Sequence, residues 1–124
     1  MDYSGEVALH FAAPRHAGAL PPGPGTLVRG EGGGLEQGAW VVFELRHEAG
    51  RILTLAWQAW GCPHTIAACS LAAGKLAGCT RAELQAFDVL SLRAPLDVPV
   101  HKTGRLLIIQ DALHKCSAAW DNGG

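Results

Sequence analysis

No apolar run in this sequence approaches the roughly 18 residues that a membrane-spanning helix requires, which argues against a helical membrane protein. The start, Met1-Asp2-Tyr3-Ser4-Gly5-Glu6, is acidic and lacks the basic opening of a secretory signal. A cytoplasmic protein is therefore expected. Its four cysteines, Cys62, Cys69, Cys79 and Cys116, are then expected as reduced thiols and not as a disulfide framework. Neither sign of charge dominates: Lys+Arg 10 stands against Asp+Glu 11, a net charge of −1, and neither half is strongly basic. The electrostatic footprint of a nucleic-acid binder is missing. No Cys-x-x-Cys pair is present, which weakens a redox motif or a zinc finger. There is no nucleophile elbow, no phosphate-cradling loop ending in Lys-Ser/Thr and no His-Glu-x-x-His, so hydrolytic chemistry has little to stand on.

What remains is material for a core. Apolar residues make up 48% of 124 residues, enough for one compact domain over 1–124 and too little length for a second. Tyr3, Val7, His10 and Phe11 fall on one helical face, with Ser4 as N-cap and Pro14 as the stop. The Gly- and Pro-dense stretch from Gly18 to Gly34 reads as loop with one short strand near Thr26–Arg29, and Gly32-Gly33-Gly34 as flexible loop. In Trp40–His47, Val41, Phe43 and Leu45 alternate with Glu44 and Arg46, the period of a half-buried strand. Glu48-Ala49-Gly50 supplies a turn into a second strand, Ile52–Trp60, making an antiparallel hairpin.

Beyond Gly61-Cys62 the period changes. Pro63 suits the first helical position, where a missing N–H costs nothing, and Ile66, Cys69, Ala73 and Leu76 continue one face up to Gly78. Thr80-x-x-Glu83 is a capping box for a short helix ending near Phe87. Asp88–Val100, broken by Pro95 and Pro99, reads as irregular. Leu106, Ile109, Leu113, Cys116 and Trp120 mark a long amphipathic helix. This order implies an α+β fold with helices packed on one face of a small antiparallel sheet. Of the tryptophans Trp40, Trp57, Trp60 and Trp120, two on strands are expected to anchor the core and one to face outward.

Three blocks, in order and at compatible spacing, resemble the IscU/NifU-N iron–sulfur cluster scaffold family. They are Tyr3-Ser4 … His10-Phe11 … Pro14-Arg15 … Gly18, then Gly61-Cys62 … Ile66-Ala67 … Ser70, then Val98-Pro99-Val100-His101-Lys102 … Asp111-Ala112-Leu113. The resemblance covers nearly the whole chain. It implies an IscU-like fold with a three-stranded sheet and a scaffold or adaptor role without catalytic residues. It also implies iron or a [2Fe–2S] cluster as cargo, and a cysteine desulfurase or another assembly protein as partner. The family builds its site from a Cys-Gly-Asp segment, a Gly-Cys junction and a Lys-x-His-Cys or Lys-x-x-Cys segment. Here these fall on Gln37-Gly38-Ala39, Gly61-Cys62 and Lys102-Thr103-Gly104-Arg105. Only the junction is intact. The family's Leu-Pro-Pro-Val-Lys chaperone motif is matched in part by Val98-Pro99-Val100-His101-Lys102.

A cluster needs thiolate or imidazole donors converging on its irons, usually about four. Arg105 puts a permanent cation where one of them should be. The depleted donor set implies no stably bound metal. Cys62, His64 and His101 stand as an alternative set for zinc or iron, although each histidine reads more readily as a solvated or hydrogen-bonded loop residue. Cys62 itself lies at a helix N-terminus, where the dipole and unpaired N–H groups favour the thiolate. It is the candidate sulfur acceptor or single ligand; the alternative is a small apolar residue tucked under the hairpin. Cys69, about 10.5 Å further along the helix by rise, is too distant for a disulfide with Cys62. Cys69 and Cys116 read as core, Cys79 as a surface or cap residue.

Overall fold

The computed structural model describes residues 5–12 and 14–123. Tyr3 and Ser4 lie outside the described residues, as does the side chain of Phe11. The chain runs through α1 (Gly5–Ala12), β1 (Thr26–Gly34), β2 (Ala39–Glu48), β3 (Arg51–Trp60), α2 (Pro63–Leu76), α3 (Arg81–Ala86), α4 (Arg93–Leu96) and α5 (Thr103–Gly123). The strands form one antiparallel sheet in the order β1-β2-β3.

Val41, Phe43 and Leu45 are buried, as the alternation requires. Register partners share a face in an antiparallel sheet. Gly32, Gly30 and Val28 of β1, with Ala59, Trp57 and Leu55 of β3, therefore join them on the helix-covered side. Leu106, Ile109, Leu113, Cys116 and Trp120 close the core from α5, and Ala68, Cys69, Ala72 and Leu76 from α2. No helix among the described residues is long and apolar enough to cross a membrane.

The first correction concerns the glycines. Gly30, Gly32 and Gly33 are part of β1, which runs unbroken to Gly34 instead of stopping near Arg29. The reason is distant in sequence: a Cβ on Gly30 would strike the Ala112 carbonyl oxygen and come within 2.8 Å of Cys116 N, and one on Gly32 would strike the Ile108 carbonyl oxygen. The absent side chains let α5 lie directly against the strand. A second correction concerns Asp88–Val100, which is wound into a 3-10 turn at Val89–Leu92 followed by α4. The Asp88 carboxylate accepts from Leu90 N–H at 3.0 Å and starts the turn. Pro95 is tolerated because it falls in the first turn of α4, where no backbone donor is needed.

A third correction concerns the tryptophans. Of those on strands only Trp57 is core, its indole N–H donating to the Arg15 carbonyl oxygen at 2.6 Å. Trp40 and Trp60 are register partners at the open end of the hairpin, half-buried and 41% exposed respectively. The second core tryptophan is Trp120 on α5, its ring stacked on His47 with centroids 4.2 Å apart.

The hairpin turn has Ala49 and Gly50 at φ of 54° and 79°, the left-handed pair that a two-residue connection needs. Pro63 is at the first helical position of α2 and the Thr80–Glu83 capping box is complete. α1 packs on α2 through Ser70, whose buried hydroxyl accepts from Arg15 N–H at 2.7 Å and lies 2.7 Å from His10 Nδ1.

Candidate functional site

At the end of the sheet where β2 begins and β3 finishes, three separate segments meet. The first is the tight turn between β1 and β2, where Gln37 closes a 3-10 turn and Gly38 leaves it at φ 74°. The second is the β3–α2 junction Gly61-Cys62. The third is the start of α5, entered through a 3-10 turn at Val100–Lys102.

Contacts run continuously through them. The Arg105 guanidinium lies over Gly38, whose Cβ would be 3.5 Å from Nη2, and Nη1–H donates to the Gln37 carbonyl oxygen at 3.0 Å. Ala39 is fully buried, and a Cβ on Gly61 would sit 3.2 Å from its methyl group and 2.9 Å from the Thr65 hydroxyl. Glycine is therefore required at 61 for the strand to pass this close to Ala39 and α2. On its far side Arg105 borders a pocket of about 320 Å³, lined also by Gln37, Gly104, Leu107, Ile108 and Asp111.

Cys62 is the N-cap of α2, half-buried. Burial alone would push its thiol up. The backbone N–H and hydroxyl of Thr65, the backbone of His64 and the nearby Lys102 ammonium outweigh that and hold it below the usual thiol range. The Thr65 hydroxyl is 3.7 Å from Sγ. The remaining cysteines are different. Burial pushes Cys69 up, and burial with the Glu44 carboxylate pushes Cys116 up to about 12. Burial and Glu83 raise Cys79, which is half-buried and donates to the Lys75 carbonyl oxygen at 3.2 Å. Cys62 alone among the four is set toward the thiolate.

His64 is buried in the first turn of α2, and its Nδ1 accepts from Lys102 Nζ at 3.4 Å. Burial, then Lys102, hold the imidazole below its ordinary value, with Asp97 acting against them and His101 alongside Lys102. His101 is exposed on the 3-10 turn. Among the described residues no group of three or more His, Cys, Asp or Glu side chains is placed to hold a metal ion, so Cys62, His64 and His101 do not form one. The donor set does not fit a cluster held by one chain: Cys62 is a single thiol with the Lys102 ammonium nearby, and Arg105 holds a guanidinium against Gln37 and Gly38.

Sequence reasoning did not single out Thr65 and Lys102 as the groups that tune Cys62. The signal for Thr65 was its place three residues after an N-cap, and for Lys102 its match to the lysine of the third family segment.

A family model described as NifU-like N terminal domain matches residues 2–122. No curated protein matches the sequence. Among solved structures, the chain is similar to a putative iron–sulfur cluster assembly scaffold protein for the SUF system from Fervidobacterium islandicum. That match has 16% identity and a TM-score of 0.70, and covers 93% of this chain and 96% of that one. It is also similar to the N-terminal part of a nitrogen-fixing NifU-like protein from Brucella abortus at 20% identity and a TM-score of 0.56, over 67% of this chain. The match spans only 56% of the Brucella chain. A hypothetical protein at 20% identity, TM-score 0.57, matches over 94% of this chain and 89% of its own. At these identities the structures speak for the fold: three antiparallel strands with helices packed on them.

Proposed function

Because the chain belongs to the NifU-like N-terminal domain family, we propose that it takes part in iron–sulfur cluster assembly with a degraded cluster site, keeping only Cys62 as sulfur acceptor or ligand. The observation that carries this reading is the arginine at the centre of the site. Arg105 stands where the family's third segment has a ligand and is bonded to Gln37, which stands where the first segment has its cysteine. A guanidinium stays charged at any ordinary pH and repels a cationic metal.

The chemistry left to Cys62 is nucleophilic. Its thiolate attacks the outer sulfur of a persulfide on a cysteine desulfurase. The new S–S bond makes a persulfide on Cys62, and the desulfurase thiolate leaves. Lys102 supplies positive charge beside the nucleophile and beside the anionic persulfide that results. The cluster, or the sulfur destined for it, is cargo, and the protein is a scaffold or adaptor and not an enzyme.

A second reading is favoured by the absence, among the described residues, of a side-chain group suited to a metal. In it the chain is a cluster-free binding module that keeps the scaffold's shape to engage a desulfurase or another assembly protein. Labelled sulfur separates the two. With a cysteine desulfurase and [35S]cysteine, the first reading expects reducible label on the wild-type chain and none on Cys62→Ser. Unlabelled protein that still binds the desulfurase tightly would overturn the first reading in favour of the second.

A further inference from the structure

The recess on the far side of Arg105 takes no part in the chemistry assigned to Cys62. Its volume is about 320 Å³, and it lies between the β1–β2 turn and α5. The turn supplies Gln37, and the helix supplies Gly104, Arg105, Leu107, Ile108 and Asp111. Sites for small organic molecules run from roughly 300 to 1,000 Å³, so this one is at the small end of that range.

The lining follows from helical spacing. Gly104, the Leu107–Ile108 pair and Asp111 recur three or four residues apart and stack along one face of α5. Arg105 stands in the first turn of the helix, and Asp111 about 9 Å further along its axis by helical rise. Both side chains lean toward the helix N-terminus, which keeps that separation. A Cβ on Gly104 would meet nothing within 4 Å, so the recess is open beside Arg105. Leu107, 47% exposed, and the buried Ile108 make an aliphatic wall between the two charges.

Neither charge is matched within the chain. Arg105 donates through Nη1 to the Gln37 carbonyl oxygen, an uncharged acceptor. Among the described residues neither Arg105 nor Asp111 has an ion-pair partner. This arrangement discriminates between ligands. A phosphate suits Arg105 but meets the Asp111 carboxylate, and a metal ion or polyamine meets the guanidinium. A hydrocarbon covers both charges and pairs neither, which is unfavourable. A carboxylate at one end, an ammonium at the other and methylenes between them answer every part of the lining. The positive end of the α5 dipole adds to Arg105 on the carboxylate side.

We propose that this recess binds a small zwitterion, its carboxylate on Arg105, its ammonium on Asp111 and its carbon chain along Leu107 and Ile108. The spacing of the two charges favours an amino group carried well away from the carboxylate over an α-amino acid. Amide NMR of the full chain at neutral pH tests this, titrated separately with glycine, γ-aminobutyrate, ε-aminocaproate, caproate and hexylamine. Saturable shifts at the amides of 37–38 and 104–111 are expected, with affinity rising along the amino-acid series. Caproate and hexylamine, each lacking one charge, should bind at least about tenfold more weakly than ε-aminocaproate. Asp111→Asn should cost ε-aminocaproate about tenfold and leave caproate unchanged, while Arg105→Gln should weaken both. Asp111 is exposed, so its variant reads the site even where Arg105→Gln lowers stability, and thermal melts show which variants keep the fold. No saturable shift with any of the five, a zwitterion held no better than caproate, or binding indifferent to Asp111→Asn overturns the proposal.

Discussion

Arg105 Nη1–H donates to the backbone carbonyl oxygen of Gln37 at 3.0 Å, tying the first turn of α5 to the turn between β1 and β2. The two residues are 68 positions apart in the chain. A backbone acceptor has a consequence: no substitution at Gln37 removes the bond, and only Arg105 controls it. Arg105→Ala should lower stability by about 0.5–1.5 kcal/mol in urea titrations, the usual net value of such a bond. It should also speed hydrogen exchange at the Gly38 amide, which donates to the Leu35 carbonyl oxygen within that turn.

Thiol chemistry should follow the environments of the four cysteines. With a small alkylating agent, Cys62 should react first and Cys69 and Cys116 only on unfolding, because the latter two are fully buried and their thiols held protonated. Lys102→Ala and Thr65→Val should each move the midpoint of the Cys62 pH–rate curve upward, since each removes a group that favours the thiolate. Peptide mapping of the alkylated protein reads both outcomes.

Gly30→Ala should destabilise at the upper end of the roughly 1–3 kcal/mol typical of overpacking. The added methyl meets α5 backbone at Ala112 and Cys116, which cannot swing away as a flexible side chain would. Gly50→Ala has open space around its Cβ and is strained only through its φ of 79°, so it should cost less. Parallel urea titrations compare the two.

Acid should weaken the fold through buried histidines. Burial holds His47 below its ordinary value of 6.5 while it stacks on Trp120, and His64 is likewise lowered. The unfolded chain therefore binds more protons than the native one below that value. The stabilising contribution is full above pH 6.5 and is lost as pH falls through 6.5 toward the depressed native values. Melting temperatures should drop on that side of neutrality, and His47→Phe should flatten the drop.

The elements that proved legible from sequence are those written by neighbours in the chain. The hairpin with its Ala49-Gly50 turn, Pro63 at the start of α2 and the Thr80–Glu83 box each depend on residues within a few positions of one another. β1 was legible only at its start, because its glycines answer to α5, some eighty residues away, and read locally as loop. The site divides in the same way. The Gly61-Cys62 junction and the charge of Arg105 are visible as letters. The bond from Arg105 to a carbonyl, and the pairing of Lys102 with His64, have no letter of their own. The expectation of two core tryptophans on the strands failed because Trp40 and Trp60, register partners, fall on the opposite face of the sheet from Val41, Phe43 and Trp57.

Iron and acid-labile sulfide content after anaerobic reconstitution tests the depleted site most directly, with the wild-type chain measured beside Gln37→Cys/Arg105→Cys. That double variant restores two thiols and removes the cation, and leaves Ala39 alone because its position is fully buried. The account predicts far less than one cluster per wild-type chain and a clear gain in the variant. A stoichiometric cluster that stays on the wild-type chain through gel filtration, and is no better held by the variant, would contradict it.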